Sequence, residues 1–173
     1  VPLQQTIEVS REIIQEQPAT IYRQLYGTTT PAAHVEWARH NRMYAEQISH
    51  GHNLWRLYPV EKYGESHPEF YPGGEPPKTG SHAAWQPCFT AEGSVEAAVE
   101  GILEYFAENP DAPSFSLGVN DSGGHCEADP NHPDYPDRRN SNGFLDMSEI
   151  YYTWVNDVVE QVLEVYPDKW FGL

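Results

Sequence analysis

Apolar residues recur along the second half of the chain at two distinct periods. Val95, Ala98, Val99, Ile102, Leu103 and Phe106 stand three or four positions apart, the spacing of a single buried helix face. Thr90 is placed to cap the start of this helix, Glu92 complements its positive end, and Asn109-Pro110 stops it. A second stripe, Tyr151, Trp154, Val155, Val158, Val159, Val162, Leu163 and Tyr166, predicts a longer helix over 148–166. Asp146 and Glu149 stand at capping-box spacing at its start, and Pro167 ends it. Between the two helices Phe115, Leu117 and Val119 alternate with Ser114, Ser116 and Gly118. That period of two predicts a buried strand with one large apolar face and one small one. The strand runs directly into Asn120-Asp121-Ser122-Gly123-Gly124, a polar tip where paired glycines allow a sharp turn.

Elsewhere the pattern is weaker. Residues 3–17 fit a helix loosely and close at Pro18, and 21–26 read as a short strand or a helical turn. The residue types from 34 to 49 favour a helix. Leu54, Trp55, Leu57 and Tyr58 suggest a strand between Gly51 and Pro59, and residues 60–67 suggest two helical turns. The stretch 68–80 is dense in Pro and Gly, long enough to be a candidate functional loop. Residues 84–89 suggest a short strand and 169–173 the opening of another. Helices alternating with strands are the grammar of βα units with parallel strands. A complete (β/α)8 barrel takes roughly 250 residues, and this chain has 173. The expected fold is therefore α/β and TIM-barrel-like: a partial barrel or fragment with parallel strands and flanking helices. A single segment would span 1–173 and continue beyond residue 173.

Charge narrows the partners. With 26 acidic against 10 basic residues the formal net charge is -16, which repels nucleic-acid phosphate and anionic membrane surfaces. No apolar run approaches the roughly 20 residues needed to cross a bilayer. Cys88 and Cys126 are the two cysteines, and at this distance in sequence they either pair or stay free. In the aperiodic stretch 122–145, His125, Cys126 and His132 have poor spacing for zinc, and Asp129, Asp134 and Asp137 do not match a calcium loop. An acidic surface loop is expected there, with neither metal nor cofactor.

The candidate chemistry gathers where the strand ends. In parallel α/β proteins functional side chains collect at the carboxyl ends of strands, which makes Asn120 and Asp121 the first candidates. Glycoside hydrolysis needs two carboxyl groups flanking one bond; Asp121 supplies one, and Glu127, or Asp129, a second. His52, Asn53, Trp55 and Arg56 mix hydrogen-bonding groups with a flat apolar surface that suits a polyhydroxylated ligand. Trp85 and Gln86 are expected to face the same rim, and Asn120 to orient sugar hydroxyls.

Several blocks carry a family resemblance: Trp37-Ala-Arg-His-Asn-Arg-Met43, Gly51-His-Asn-Leu-Trp-Arg-Leu-Tyr-Pro59, Glu61-Lys-Tyr-Gly-Glu-Ser-His-Pro-Glu-Phe70, Asn109-Pro-Asp-Ala112, Ser116-Leu-Gly-Val-Asn-Asp-Ser-Gly-Gly-His-Cys126 and Trp154-Val-Asn-Asp-Val-Val-Glu160 with Tyr166-Pro-Asp-Lys-Trp170. They resemble the bacterial domain of unknown function 4838 family, which is similar to glycoside-hydrolase TIM barrels. The resemblance implies a barrel segment that acts on polysaccharide or oligosaccharide, or one that binds carbohydrate without cleaving it. It also implies a secreted or periplasmic location. Relatives often carry further cysteines just after the position of Cys126, where this chain has Glu127-Ala-Asp-Pro130, so a cysteine-based metal site is not expected.

Overall fold

The computed structural model describes residues 32–43, 48–78 and 85–173. The chain divides into two compact units, Val1–Glu46 and Gln47–Leu173. In the first, helix α1 (Ala32–His40) is shorter than the expected 34–49. Its end has a physical cause: Arg42 takes a left-handed φ of 55°, the N–H of Arg42 bonds the carbonyl of Arg39, and that of Met43 bonds Ala38. These two bonds close the last turn as a Schellman motif, with arginine in the place glycine usually takes. The elements expected at 3–17 and 21–26 lie outside the described residues.

The second unit contains α2 (Val60–Tyr63), α3 (Ser94–Glu108), β1 (Ser114–Ser116), α4 (Ser148–Val165) and β2 (Trp170–Gly172). Strands β1 and β2 pair in parallel, with Ser114 opposite Trp170 and Ser116 opposite Gly172, and α4 makes the crossover that parallel pairing requires. The two apolar stripes behave as their spacing predicts. Ala98, Ile102 and Phe106 of α3 and Trp154, Val155, Val158 and Val162 of α4 are buried in one core with Phe115 and Leu117. The chain is thus α/β in the coarse sense, helices packed with parallel strands.

Helix α3 begins differently from expectation. Gly93, at φ 80°, precedes Ser94 with no side-chain cap, and the Ser94 hydroxyl donates to the Phe89 carbonyl at 2.9 Å. Thr90 does not cap the helix; its N–H and hydroxyl turn to Glu127 instead. At α4 the Asp146 carboxylate accepts the Ser148 N–H at 3.1 Å and an Arg138 guanidinium N–H at 2.8 Å. Those hydrogen bonds, Ser148 first, hold the Asp146 carboxyl below the usual carboxylate range.

The small face of β1 has a specific use. The backbone of residues 49–53 lies directly against it, running in the same direction. Ser49 N–H donates to Ser114 Oγ at 2.7 Å, and Ser116 Oγ accepts the Gly51 N–H while donating to the Gly51 carbonyl. Asn53 N–H donates to the Gly118 carbonyl at 3.0 Å. Here serine hydroxyls replace a strand partner's peptide groups, satisfying buried backbone that would otherwise be costly to strand. A Cβ on Gly118 would run into the Gly51 carbonyl, and one on Gly172 into that of Ser49. Small residues stand on this face because main chain packs on it.

Two expected strands are absent from the described residues. Residues 54–58 form a single 3-10 turn, Leu54–Arg56, because Leu54, Leu57 and Tyr58 are buried together while Trp55 and Arg56 point outward. Residues 85–88 have no ladder. The Gln86 N–H bonds the Gly124 carbonyl and the Cys88 N–H the Phe70 carbonyl, so successive amides serve different neighbours.

Candidate functional site at the carboxyl end of β1

The rim beyond β1 is organised by one buried residue. Asn120, 1% exposed, accepts the Trp55 N–H on Oδ1 at 3.0 Å and donates Nδ2 to the Trp85 carbonyl at 3.1 Å. Its own N–H and carbonyl are bound by the Gln86 side-chain amide at 3.0 and 2.6 Å. Such a network is rigid because every member is satisfied, and losing one partner leaves buried groups unpaired. Asn120 therefore holds the rim in shape, with its amide committed to protein backbone.

Around Asn120 the structure brings together most of the residues singled out in the sequence. The carbonyl of Val119 can only accept, so His52 must carry its proton on Nδ1, 2.6 Å away. In that tautomer Nε2 of the exposed ring is an acceptor. Asn53 donates Nδ2 to the Ser116 carbonyl at 3.1 Å, an anchoring bond. The Arg56 guanidinium lies 5.2 Å from the centroid of the Trp55 ring, a cation–π contact on a ring that is 37% exposed. Asp121 is exposed at the tip. Trp85 adjoins the rim through its backbone, but its ring is buried and packs on Tyr71 with centroids 5.3 Å apart, so it belongs to the core.

Glu127 is in a different setting. It is fully buried, and Oε1 accepts the Thr90 N–H at 3.0 Å and the Thr90 hydroxyl at 3.3 Å. Oε2 has no hydrogen-bond partner among the described residues. The flanking Cys126 is disulfide-bonded to Cys88, which decides between the two states the sequence left open. The disulfide and the Gln86–Gly124 bond tie the 85–90 loop to the loop leaving β1. Asp129 accepts the N–H and Nδ2 of Asn131, both at 2.9 Å, and these bonds hold its carboxyl below the usual range.

The model of one protein family, described as a domain of unknown function (DUF4838), matches residues 1–173. The chain belongs to this family. No curated protein and no solved structure matches it.

Within this DUF4838 domain, the sequence places Gln86 at the rim and Thr90 at a helix start, and neither placement foresees the bonds they make to Asn120 and Glu127. Gln86 is wholly buried and bridges Asn120 to the Ser122 carbonyl, which its Nε2 reaches at 2.7 Å, so it sets the turn that presents Asp121. A glutamine between tryptophan and proline carries no local signal of that duty.

His125, beside the disulfide, gives the domain a pH dependence. Burial holds its pKa below the ordinary 6.5, with the Glu127 charge opposing more weakly. The unfolded imidazole takes up a proton at a higher pH than the folded one. The unfolded state thus binds more protons as pH falls below that ordinary value, and stability is lost there while remaining full above it. The expected result is a melting temperature that declines from about pH 7 to about pH 5. His125→Gln, which has no proton to gain, should flatten that decline in paired thermal melts; an unchanged slope would contradict the assignment.

Proposed function

We propose that this domain binds carbohydrate at the rim beyond β1, as a segment of a glycoside-hydrolase-like barrel protein. The observation that carries the reading is the rim around Asn120: its side chain holds the Trp55 backbone, the Trp55 ring carries Arg56, His52 is tied to the Val119 carbonyl, and exposed Asp121 follows in the chain, all beyond the carboxyl end of a parallel strand. Sugars present alternating C–H faces and hydroxyl edges. An exposed indole serves the first, while a carboxylate, a guanidinium and an imidazole acceptor serve the second. The acidic balance of the chain agrees with a neutral ligand and speaks against polyanions. The Cys88–Cys126 disulfide agrees with an oxidising, extracytoplasmic location.

A second reading, hydrolysis by the pair Asp121 and Glu127, is favoured by the unpartnered Oε2 of Glu127, since a carboxyl kept for proton transfer needs a free oxygen. It requires Glu127 to reach the rim from its buried place behind Thr90. One experiment addresses both. The domain is titrated against a panel of neutral oligosaccharides by calorimetry, and released reducing ends are assayed in parallel. Binding weakened about tenfold by Trp55→Ala, with no reducing ends released, supports the binding reading. Reducing ends lost in both Asp121→Asn and Glu127→Gln support hydrolysis, and no binding to any member of the panel overturns the proposal.

A further inference from the structure

The disulfide is one rung of a longer seam. Two segments running in the same direction meet along it. The Trp85 carbonyl accepts Nδ2 of Asn120 at 3.1 Å, the Gln86 N–H donates to the Gly124 carbonyl at 2.9 Å, Cys88 is bonded to Cys126, and the Thr90 N–H donates to Glu127 Oε1 at 3.0 Å. The clamp at Asn120 is thus one end of the seam and the buried Glu127 carboxyl the other, with the covalent rung between them. Both chain neighbours of Cys126 carry a buried polar atom without a hydrogen-bond partner among the described residues: Nδ1 of His125 and Oε2 of Glu127. Such atoms are stabilised by reaching water, and in a native fold they ask for an explanation. Burial also disfavours the protonated His125 imidazole, so the ring too gains from exposure. The hydrogen bonds of the seam can break and re-form locally, whereas the disulfide opens only by a chemical step. It is what keeps residues 125–127 from turning outward.

The bond is also within reach of a reductant. Cys88 and Cys126 both line a cavity of about 650 Å³ between the Pro72–Gly74 turn and the 125–134 loop. Cys88 is 4% exposed and Cys126 half-buried, which makes Cys126 the easier one to attack. A dithiol supplies everything the exchange needs. One of its thiolates bonds to Cys126 and expels the Cys88 thiolate, which takes up a proton. Its second thiolate then displaces Cys126, which leaves as a thiol. The dithiol ends as a disulfide, oxidised by two electrons, and the two cysteines have gained those electrons with two protons.

We infer that the Cys88–Cys126 bond is a redox latch on the rim: once a dithiol reduces it, residues 125–127 swing to water and the loop that carries Asp121 loses its anchor at 85–90. The rim is the one proposed above to bind carbohydrate, so the consequence for binding rests on that reading. The latch is tested without any ligand, and the two can therefore fail separately. Amide hydrogen exchange is followed by NMR on the intact chain at several low urea concentrations, oxidised and after reduction with dithiothreitol. In the reduced chain the amides of Gln86, Thr90 and Asn120 should exchange at least about tenfold faster than in the oxidised one. Their rates should barely respond to urea, the mark of a local opening that exposes little surface. Amides in the middle of α3 and α4 should keep the steep urea dependence of global unfolding. His125→Phe keeps an aromatic ring beside Phe89 but has no polar atom to expose, and should slow the opening of the reduced chain about tenfold. Unchanged rates on reduction, the same urea dependence at the seam as in the helices, or loss of the helices by circular dichroism would each make the bond a structural staple and overturn the inference. Opening as fast in His125→Phe as in the wild-type chain would refute it too, since the buried atoms would then drive nothing.

Discussion

Replacing Cys88 and Cys126 together with serine is expected to cost about 4 kcal/mol of stability. The bond joins residues separated by 38 positions. In the chain-entropy account, opening a loop of that size restores conformational freedom to the unfolded chain and not to the folded one. A loss of that size corresponds to roughly 8–16 °C in melting temperature for a domain of this length. The check is a pair of melts with and without a reducing agent. The wild-type chain should fall by that amount on reduction, and the double serine variant should start low and not respond. A wild-type melt that ignores reductant, with reduction of the bond verified, would show that the 85–90 and 122–128 loops are held by other contacts alone.

Gly118→Ala should be among the most damaging methyl groups added to the second unit. The new Cβ would collide with the carbonyl of Gly51 and lie 3.0 Å from the Gly51 carbonyl carbon and 3.3 Å from its nitrogen. These are main-chain atoms, and they cannot swing aside as the end of a flexible side chain would. The backbone at 49–53 would have to lift off β1, straining the serine hydroxyl bonds and the bond from Asn53 N–H to Gly118. Forced overpacking of this kind costs about 3 kcal/mol, measurable as a shifted midpoint in urea unfolding. Gly123→Ala is the matched control, because a Cβ there meets nothing within 4 Å. Equal midpoints for the two variants would refute the close approach at residue 118.

The parts legible from residue order are those where one side-chain face meets one core. The stripes of α3 and α4 and the alternation of β1 are of that kind, and so is β2 with Phe171 packed at the core margin. The turn at 54–56 was misread as a strand because a short apolar run fits both periods. Leu54, Leu57 and Tyr58 also stand at i, i+3 and i+4, the spacing of a helical turn, and burial follows that spacing. The alternation of serine and glycine along β1 was visible, but not what covers it, since residues 49–53 contribute mainly peptide groups. At the candidate site the paired strand ends at Ser116, short of the expected Val119, and Asn120, expected to orient a sugar, has its side-chain amide bonded to Trp55 and Trp85. Trp85 and Glu127 carry no mark in the sequence that they are buried; long-range bonds to Asn120 and Thr90 decide it.

The parallel pairing of β1 with β2 bears on the order in which the molecule assembles. All of α4 and the long loop before it separate the two strands in the chain, so their ladder closes a wide circuit and belongs to the slow, late class of folding events. The clamp of Asn120 on Trp55, Trp85 and Gln86 uses nothing from β2. During synthesis from the amino end, Trp55, Trp85, Gln86 and Asn120 have therefore all left the ribosome before β2 does.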